Sequence, residues 1–180
     1  LNAYFHSASP RTAGFNSLPI ADMTEASKFL TIILMFIGAS SGSIAGGIKI
    51  TTFAVAVLAV VSFIRGQDSV SIFGRTIGRN IIFKSFCIIA LSSVLVILTT
   101  TVLLINNEGS LMQSLYEATS AFGTVGLTTG ITPNLNTVSK LAIALTMFAG
   151  RVGPISFLVA FTFNKNKKLF NYPEGKITVG

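Results

Sequence analysis

Residues 80–105 read NIIFKSFCIIALSSVLVILTTTVLLI, and Lys84 is the only charged residue among them. As an α-helix this stretch would be about 39 Å long, more than the roughly 30 Å of a bilayer's hydrocarbon core. Residues 139–163 form a second apolar stretch of sufficient length. The chain is 51% hydrophobic and 11% charged, whereas soluble domains carry about 25% charged residues. The sequence therefore predicts an all-α integral membrane protein.

Basic residues are concentrated between and after the apolar stretches. The net charge is +7. Eight basic residues fall into two such groups: Arg65, Arg75, Arg79, Lys84, Lys165, Lys167, Lys168 and Lys176. Short basic segments are typical of the cytoplasmic side of membrane proteins, which predicts a multi-pass protein of the plasma (inner) membrane with a cytoplasmic C-terminus. No aromatic residues alternate with the basic ones to stack on bases, so nucleic acid is not predicted as a partner.

Residues that perform covalent chemistry are scarce. The sequence holds one histidine, His6, and one cysteine, Cys87, and no predicted span combines them with paired carboxylates. Catalysis needs such groups to converge, and a metal centre needs several ligands. We therefore predict no enzymatic activity, no resident metal and no organic cofactor.

The chain contains an internal repeat at an offset of 112 residues. Residues 12–14 (TAG) align with 124–126 (TVG), 27–28 with 139–140 (both SK), and 35–38 (MFIG) with 147–150 (MFAG). No gap is needed between these matches, and their common order favours a true repeat.

The second copy shows the whole repeating unit. A spanning helix over about 79–105 is followed by a short segment at 111–122, which Ser110 is expected to cap. The loop 123–130 (GTVGLTTG) comes next, and a second spanning helix over about 137–163 completes the unit. The short segment cannot cross a bilayer, so we interpret it as a re-entrant helix. Non-helical backbone at that depth is tolerated only where it lines a cavity or is buried in protein.

The two copies have the same orientation. Between the two T-x-G tripeptides the chain crosses the membrane twice and returns to the same side. Parallel copies fit a pore with rotational symmetry about the membrane normal, and one and a half units cannot close a ring. Lys28 and Lys140 begin the outgoing helices, and we expect their side chains to extend to the lipid headgroups.

The T-x-G tripeptides suit the binding of a dehydrated cation. K⁺ without its water shell needs oxygen ligands, which stacked backbone carbonyls supply. Gly14 and Gly126 permit the backbone conformations that such stacking requires, and the hydroxyl groups of Thr12 and Thr124 can add oxygens. Taken alone, each tripeptide is a weak signal, because a T-x-G in a membrane loop is usually an ordinary turn.

Four segments carry a resemblance when they are taken together. RTAGFN at 11–16, ASSGSIAGGIKITT at 39–52, FGTVGLTTG at 122–130 and AGRVGPISF at 149–157 resemble the Trk/Ktr/HKT superfamily of potassium transporters, and most of all its bacterial Ktr membrane subunit. The resemblance extends to YPEGKITVG at 172–180.

This resemblance implies a K⁺-channel-like fold, in which four helix–pore helix–filter–helix repeats have a pseudo-fourfold arrangement around one pore. The chain would supply the end of one repeat at 1–65, a complete repeat at 66–164 and a cytoplasmic tail at 165–180. The implied ions are K⁺, which is transported, and Na⁺, through sodium-dependent uptake. The implied partners are a second copy in a homodimer, a cytosolic ring of nucleotide-binding regulatory subunits, and membrane lipid. The predicted ion-binding residues, mainly through their backbone carbonyls, are Thr12, Ala13, Gly14, Phe15, Asn16, Thr124, Val125, Gly126, Leu127 and Thr128.

Residues 38–48 interrupt a stretch that would otherwise be one helix over 29–64, about 54 Å long. Each glycine here destabilises a helix by roughly 1 kcal/mol relative to alanine, and the serines can bond freed backbone groups. A break in the helix and close packing of small residues between helices both explain the composition. The resemblance implies an intramembrane gating loop. The predicted gate residues are Gly38, Ser40, Ser41, Gly42, Ser43, Gly46, Gly47 and Arg151.

Arg151 lies in the middle of the apolar stretch 139–163, where a charge is costly and usually functional. It can bond the carbonyl groups of neighbouring loops, act as an electrostatic barrier beside the gating loop, or do both.

The sequence thus predicts potassium uptake through a carbonyl-lined filter gated by residues 38–48 and Arg151. One alternative is a secondary cation transporter with a midplane site at the broken helix. Another is a membrane scaffold that transports nothing and whose small residues only pack helices.

Overall fold

The computed structural model describes residues 2–40, 42, 45–67, 69–72, 74–106 and 108–153. These residues are mostly helical. The helices are α1 (Asn2–Ala8), α2 (Glu25–Phe36), α3 (Ile50–Ile64), α4 (Arg79–Ile105), α5 (Leu111–Gly123) and α6 (Thr137–Val152), with short 3₁₀ turns at Ile20–Asp22 and Thr132–Asn134. The predicted tail at 165–180 and the end of the predicted helix 137–163 lie outside the described residues.

Helix α4 has the surface of a lipid-facing helix. Within the described part of the chain it is the one helix whose length and composition suffice to cross a membrane. Its outward residues are large and apolar, including Phe83, Ile97 and Leu98. Four of its buried residues carry hydroxyl groups instead, namely Ser85, Ser92, Thr99 and Thr100. Each of these donates to a carbonyl four residues earlier, so all four buried hydroxyl groups are hydrogen-bonded.

Helix α5 lies at the centre of the fold and contacts α2, α4 and α6. It begins as predicted: the hydroxyl group of Ser110 accepts from the N–H of Gln113 at 3.3 Å, and the Gln113 side chain accepts from the N–H of Ser110 at 2.9 Å. This capping box satisfies two N–H groups that a helix start leaves free. Every residue from Tyr116 to Gly123 is buried. A helix enclosed in this way can hold the loop that follows it in one position.

The predicted break in the first copy is present. Helix α2 ends at Phe36 and α3 begins at Ile50. Three backbone hydrogen bonds join the two helix ends: Gly38 N–H to Ile48 O at 2.8 Å, Ile48 N–H to Phe36 O at 3.3 Å and Ile50 N–H to Ala39 O at 3.3 Å. Because the described residues of this segment are not helical, packing of small residues along a continuous helix is the wrong interpretation of its glycine spacing.

Three details differ from the sequence-based expectations. A two-residue antiparallel pair, β1 (Ser71–Ile72) with β2 (Arg75–Thr76), interrupts the all-α pattern, because Gly74, with φ +74°, lets the chain reverse between the two strands. The ammonium group of Lys28 does not extend to solvent: it donates to the carbonyl of Ala21 at 3.1 Å and contacts Glu25 at 3.3 Å. Helix α6 ends at Val152, before Gly153, whose φ of +95° is unsuited to a helix.

Candidate functional site

The two T-x-G loops have the same unusual backbone conformation. In the first, Thr12 has φ +66° and Gly14 has φ +72°; in the second, Thr124 has φ +51° and Gly126 has φ +88°. Among the described residues, these two threonines are the only non-glycine residues with positive φ. This conformation costs an L-residue roughly 1–2 kcal/mol, so finding it twice at an offset of 112 shows that the sequence repeat extends to the backbone.

The two loops touch each other. A Cβ atom added to Gly14 would lie 2.2 Å from the carbonyl oxygen of Val125 and 3.9 Å from the Cα atom of Gly126. No side chain fits at Gly14 without moving this carbonyl. The structure therefore brings together the glycines of both predicted filter segments.

The second loop is attached to the protein on one face. Its residues alternate in burial: Val125, Leu127 and Thr129 are buried, whereas Gly126, Thr128 and Gly130 are exposed. Val125 and Leu127 pack into an apolar cluster with Ile20, Ile32, Met35 and Tyr116. The N–H of Val125 also donates to the carbonyl of Ser120 at 3.0 Å. One face of the loop is thus fixed, and its other face is open.

Glu117 on α5 fixes the outer part of this loop, and sequence reasoning gave it no role. Its Oε1 atom accepts from the hydroxyl group of Thr128 at 2.5 Å and from the N–H and hydroxyl group of Thr129 at 2.9 and 3.2 Å. Its Oε2 atom accepts from the hydroxyl group of Thr132 at 2.9 Å. Glu117 is only 5% exposed. The available signal was an acidic residue inside a short helix predicted to lie within the membrane, where ionisable groups are usually functional.

The first loop makes fewer contacts within the described residues. It follows α1, a seven-residue helix with no buried residue. The carbonyl of Ser9 accepts from the N–H groups of Ala13 and Gly14 at 3.1 and 3.2 Å, and the Ser9 hydroxyl group donates to the carbonyl of Phe15. Phe15 and Asn16 are exposed. The residue that corresponds to Glu117 at the repeat offset is Phe5, which has no carboxylate to offer.

The glycine-rich segment lies directly against the second loop. The N–H of Gly46 donates to the hydroxyl oxygen of Thr124 at 3.1 Å. A Cβ atom at Gly46 would lie 2.6 Å from that oxygen and 3.0 Å from the carbonyl oxygen of Gly123, and one at Gly38 would lie 2.4 Å from the carbonyl oxygen of Gly46. Gly47 is close to Gly38 and Gly123. Glycine is therefore needed here for close approach of backbone segments.

The remaining predicted gate residues are less constrained. Ser40 and Gly42 are exposed, and Ser41 and Ser43 lie outside the described residues. Arg151 is exposed, and no hydrogen bond or ion pair joins it to those residues of 38–48 that the structure describes. Its neighbour Gly150 packs tightly, because a Cβ atom there would lie 2.0 Å from the carbonyl oxygen of Phe122. The assignment of Arg151 to a gate stays a prediction.

The family match and the similar proteins agree. The family model for TrkH, described as cation transport protein, matches residues 1–172. Ktr system potassium uptake protein B of Bacillus subtilis (strain 168) is 42% identical over 178 residues, which cover 99% of this chain and 40% of that protein. The protein of the same name from Vibrio alginolyticus is 38% identical over 100% of this chain and 39% of its own length. Potassium/sodium uptake protein NtpJ of Enterococcus hirae is 35% identical over 99% of this chain and 41% of its own length. The chain thus spans about two fifths of these relatives.

Proposed function

Because this chain belongs to the TrkH family of cation transport proteins, we propose that it forms part of a membrane protein that takes up K⁺ by binding the dehydrated ion to backbone carbonyl groups. The observation that carries this proposal is the contact between two T-x-G loops that both have positive φ at their threonine and glycine. A ring of carbonyl ligands places matching loops around one axis, and the closeness of these two loops supports such an arrangement.

The proposed filter residues are those of the two loops, Thr12 to Asn16 and Thr124 to Thr128. Helix α5 acts as the pore helix of its repeat, and its carbonyl end precedes Thr124, where the helix dipole favours a cation. Residues 1–65 belong to one repeat and 66–164 to the next, within a pseudo-fourfold set of four. This arrangement makes α1 the end of the preceding pore helix.

The proposed gate is the segment 38–48 together with Arg151. The hydrogen bond from Gly46 to Thr124 supports it, because a change in the segment would act directly on a filter residue. Arg151 follows Gly150 on the helix that packs against the carbonyl end of α5. A positive charge beside the gating segment would oppose cation passage until the segment moves.

The proposed setting is the plasma membrane, with the tail 165–180 in the cytoplasm. The relatives' names support K⁺ and Na⁺ as the transported ions: two relatives are potassium uptake proteins, and NtpJ is a potassium/sodium uptake protein. A homodimer and a cytosolic nucleotide-binding ring are the proposed protein partners, since the first two relatives are components of Ktr systems.

The decisive experiment is Rb⁺ uptake into proteoliposomes that contain the full-length protein, with and without Gly126→Val. Valine at φ +88° is strained, so the variant is expected to lose flux or its preference for Rb⁺ over Na⁺. Gly66→Val is the matched control, because Gly66 also has positive φ and an open Cβ position but lies at the end of α3, away from both loops. It should retain flux and ion preference.

The alternatives give different results. A scaffold predicts no flux from any variant. A secondary transporter with its site at the broken helix predicts flux that is sensitive to changes at 38–48 and indifferent to Gly126→Val. Equal effects of Gly126→Val and Gly66→Val would also remove Gly126 from the filter.

A further inference from the structure

Glu117 is a buried acid with four hydrogen bonds, and the residues that donate them all follow one filter glycine in sequence. We propose that Glu117 is the positioning residue that holds the outer half of the second loop and thereby sets the protein's preference for K⁺ over Na⁺. The inference rests on the proposed function, since it assigns a role within the same ion path. The position that corresponds to Glu117 at the repeat offset holds Phe5, which has no carboxylate.

The two carboxylate oxygens of Glu117 bond different threonines, and we call Glu117 with Thr128, Thr129 and Thr132 the clamp. Oε1 holds Thr128 and Thr129, and Oε2 holds Thr132. All four bonds are donated to the carboxylate, which has about four acceptor positions when ionised. The hydroxyl groups of Thr128, Thr129 and Thr132 can rotate, whereas the N–H of Thr129 can only donate. The bond from this N–H to Oε1 therefore fixes the direction in which the carboxylate meets the loop.

The clamp extends to the open face of the loop. Its partner Thr128 is exposed and stands two residues after Gly126, on the same side of the alternating segment. The Thr128 hydroxyl group also accepts from the N–H of Gly130 at 2.9 Å and contacts the hydroxyl group of Thr132 at 2.8 Å. Side chains and backbone from 128 to 132 thus form one network anchored on α5. Loosening the anchor would let the carbonyl groups next to Gly126 relax.

The rigidity that Glu117 gives the loop and the charge of its carboxylate both affect ion binding at the filter. Selectivity depends on the size of the ion cavity and on the field of its oxygens, and both change if the loop relaxes. Glu117 makes no ion pair within the described residues, so its negative charge is not neutralised by a neighbouring base. In a site of low dielectric, such a charge raises the attraction for a cation at the open face of the loop.

The test compares Glu117→Gln and Thr132→Val in the full-length protein reconstituted in proteoliposomes. Glutamine keeps the size of the side chain but replaces one acceptor oxygen with a donor. Valine at 132 keeps the Glu117 carboxylate and the three bonds to Oε1, and it removes the bond to Oε2 together with the contact to the Thr128 hydroxyl group. Thr101→Val is the matched control, because Thr101 is an exposed threonine whose hydroxyl group bonds only within α4.

The readout is the Na⁺ concentration that halves Rb⁺ uptake, measured beside thermal unfolding in detergent. We expect Glu117→Gln to lower this concentration about tenfold and Thr132→Val about threefold, with Rb⁺ uptake still measurable and Thr101→Val unchanged. A purely structural role would lower the unfolding temperature and the amount of active protein without moving the ratio of the two ions. A shift in that ratio therefore supports the proposal.

Four results would overturn it. One is a Na⁺ sensitivity in Glu117→Gln that equals the wild type. If Glu117→Gln fails to fold, unchanged Na⁺ sensitivity in Thr132→Val decides against the proposal in the same way. Absence of Rb⁺ uptake in the wild type would remove the proposed function and this inference with it. Sensitivity to Gly126→Val combined with indifference to both clamp variants would instead leave the filter in place and reject the clamp.

Discussion

The two T-x-G loops agree in backbone conformation and differ in what holds them. The second loop is fixed by the buried helix α5, by two apolar side chains and by the Glu117 carboxylate. The first follows a helix with no buried residue and presents Phe15 to the surroundings with 69% of its surface exposed. The tripeptide therefore accounts for the backbone conformation of each loop. The contacts that hold a loop in place are made by residues outside the tripeptide. Substitutions at equivalent positions of the two copies should separate these contributions.

The largest difference is expected between Gly150→Ala and Gly38→Ala, which are equivalent at the repeat offset. The added methyl group at 150 would lie 2.0 Å from the Phe122 carbonyl oxygen, and both groups belong to packed helices. We expect a loss of about 3 kcal/mol of stability. At 38 the added methyl group would lie 2.4 Å from the Gly46 carbonyl oxygen, which belongs to a non-helical segment and not to a packed helix, so a smaller loss of about 1–2 kcal/mol is expected. Thermal unfolding in detergent measures both, and equal losses would show that the first copy is as rigid as the second.

A smaller difference is expected between Gly14→Ala and Gly126→Ala. Both changes place a side chain at positive φ. At Gly14 the methyl group would also lie 2.2 Å from the Val125 carbonyl oxygen, whereas at Gly126 nothing lies within 4 Å. If the contact adds about 1.4 kcal/mol to the barrier, Gly14→Ala should lower the initial rate of Rb⁺ uptake about tenfold more than Gly126→Ala. The reverse order would mean that the loops are further apart in the conducting state.

Thr124→Val and Thr12→Val test the hydroxyl groups. Valine at 124 removes the acceptor for the Gly46 N–H and should cost about 1–2 kcal/mol. Thr12 bonds only the neighbouring Arg11 carbonyl on an open surface, so its replacement should cost close to nothing. Unfolding temperatures report both values, and Thr124→Ser, which keeps the hydroxyl group, should recover most of the loss. A loss at 12 as large as at 124 would contradict the loose attachment of the first loop.

The smallest effect is expected for Thr12→Asn. Asparagine adopts positive φ more readily than a β-branched residue, so the variant should gain about 0.5 kcal/mol. Thr51→Asn in the first turn of α3 is the control, because it has helical geometry and should gain nothing. Chemical unfolding of the two variants side by side measures the difference, and no gain at 12 would indicate that the backbone there is not under strain.

Local signals predicted most of the helices. The apolar length of 79–105 gave α4 its bounds, Ser110 marked the start of α5, and the glycines of 38–48 marked the end of α2. These features act through neighbouring residues, so their effect can be derived from a short window of sequence. The same holds for the positive φ of Gly14 and Gly126.

Contacts between distant residues could not be predicted in this way. The bond between Gly46 and Thr124 joins residues 78 positions apart, and the role of Glu117 depends on how the loop folds back along α5. Lys28 shows the same limit: its position suggested lipid headgroups, but the Ala21 carbonyl and Glu25 are close enough to hold it. In each case the position or role of the residue depends on a polar contact that forms only when the chain has folded.

The three backbone bonds between the ends of α2 and α3 have a consequence for chain length. They close the segment 38–47 at its base, so the positions of the two helices do not depend on how many residues lie between them. Lengthening a closed loop costs little, about 0.6 kcal/mol for each doubling, and Gly42 has nothing within 4 Å of its Cβ position. Insertions and deletions should therefore be tolerated around Gly42, while the same changes one turn into either helix would shift every side chain that the helix buries.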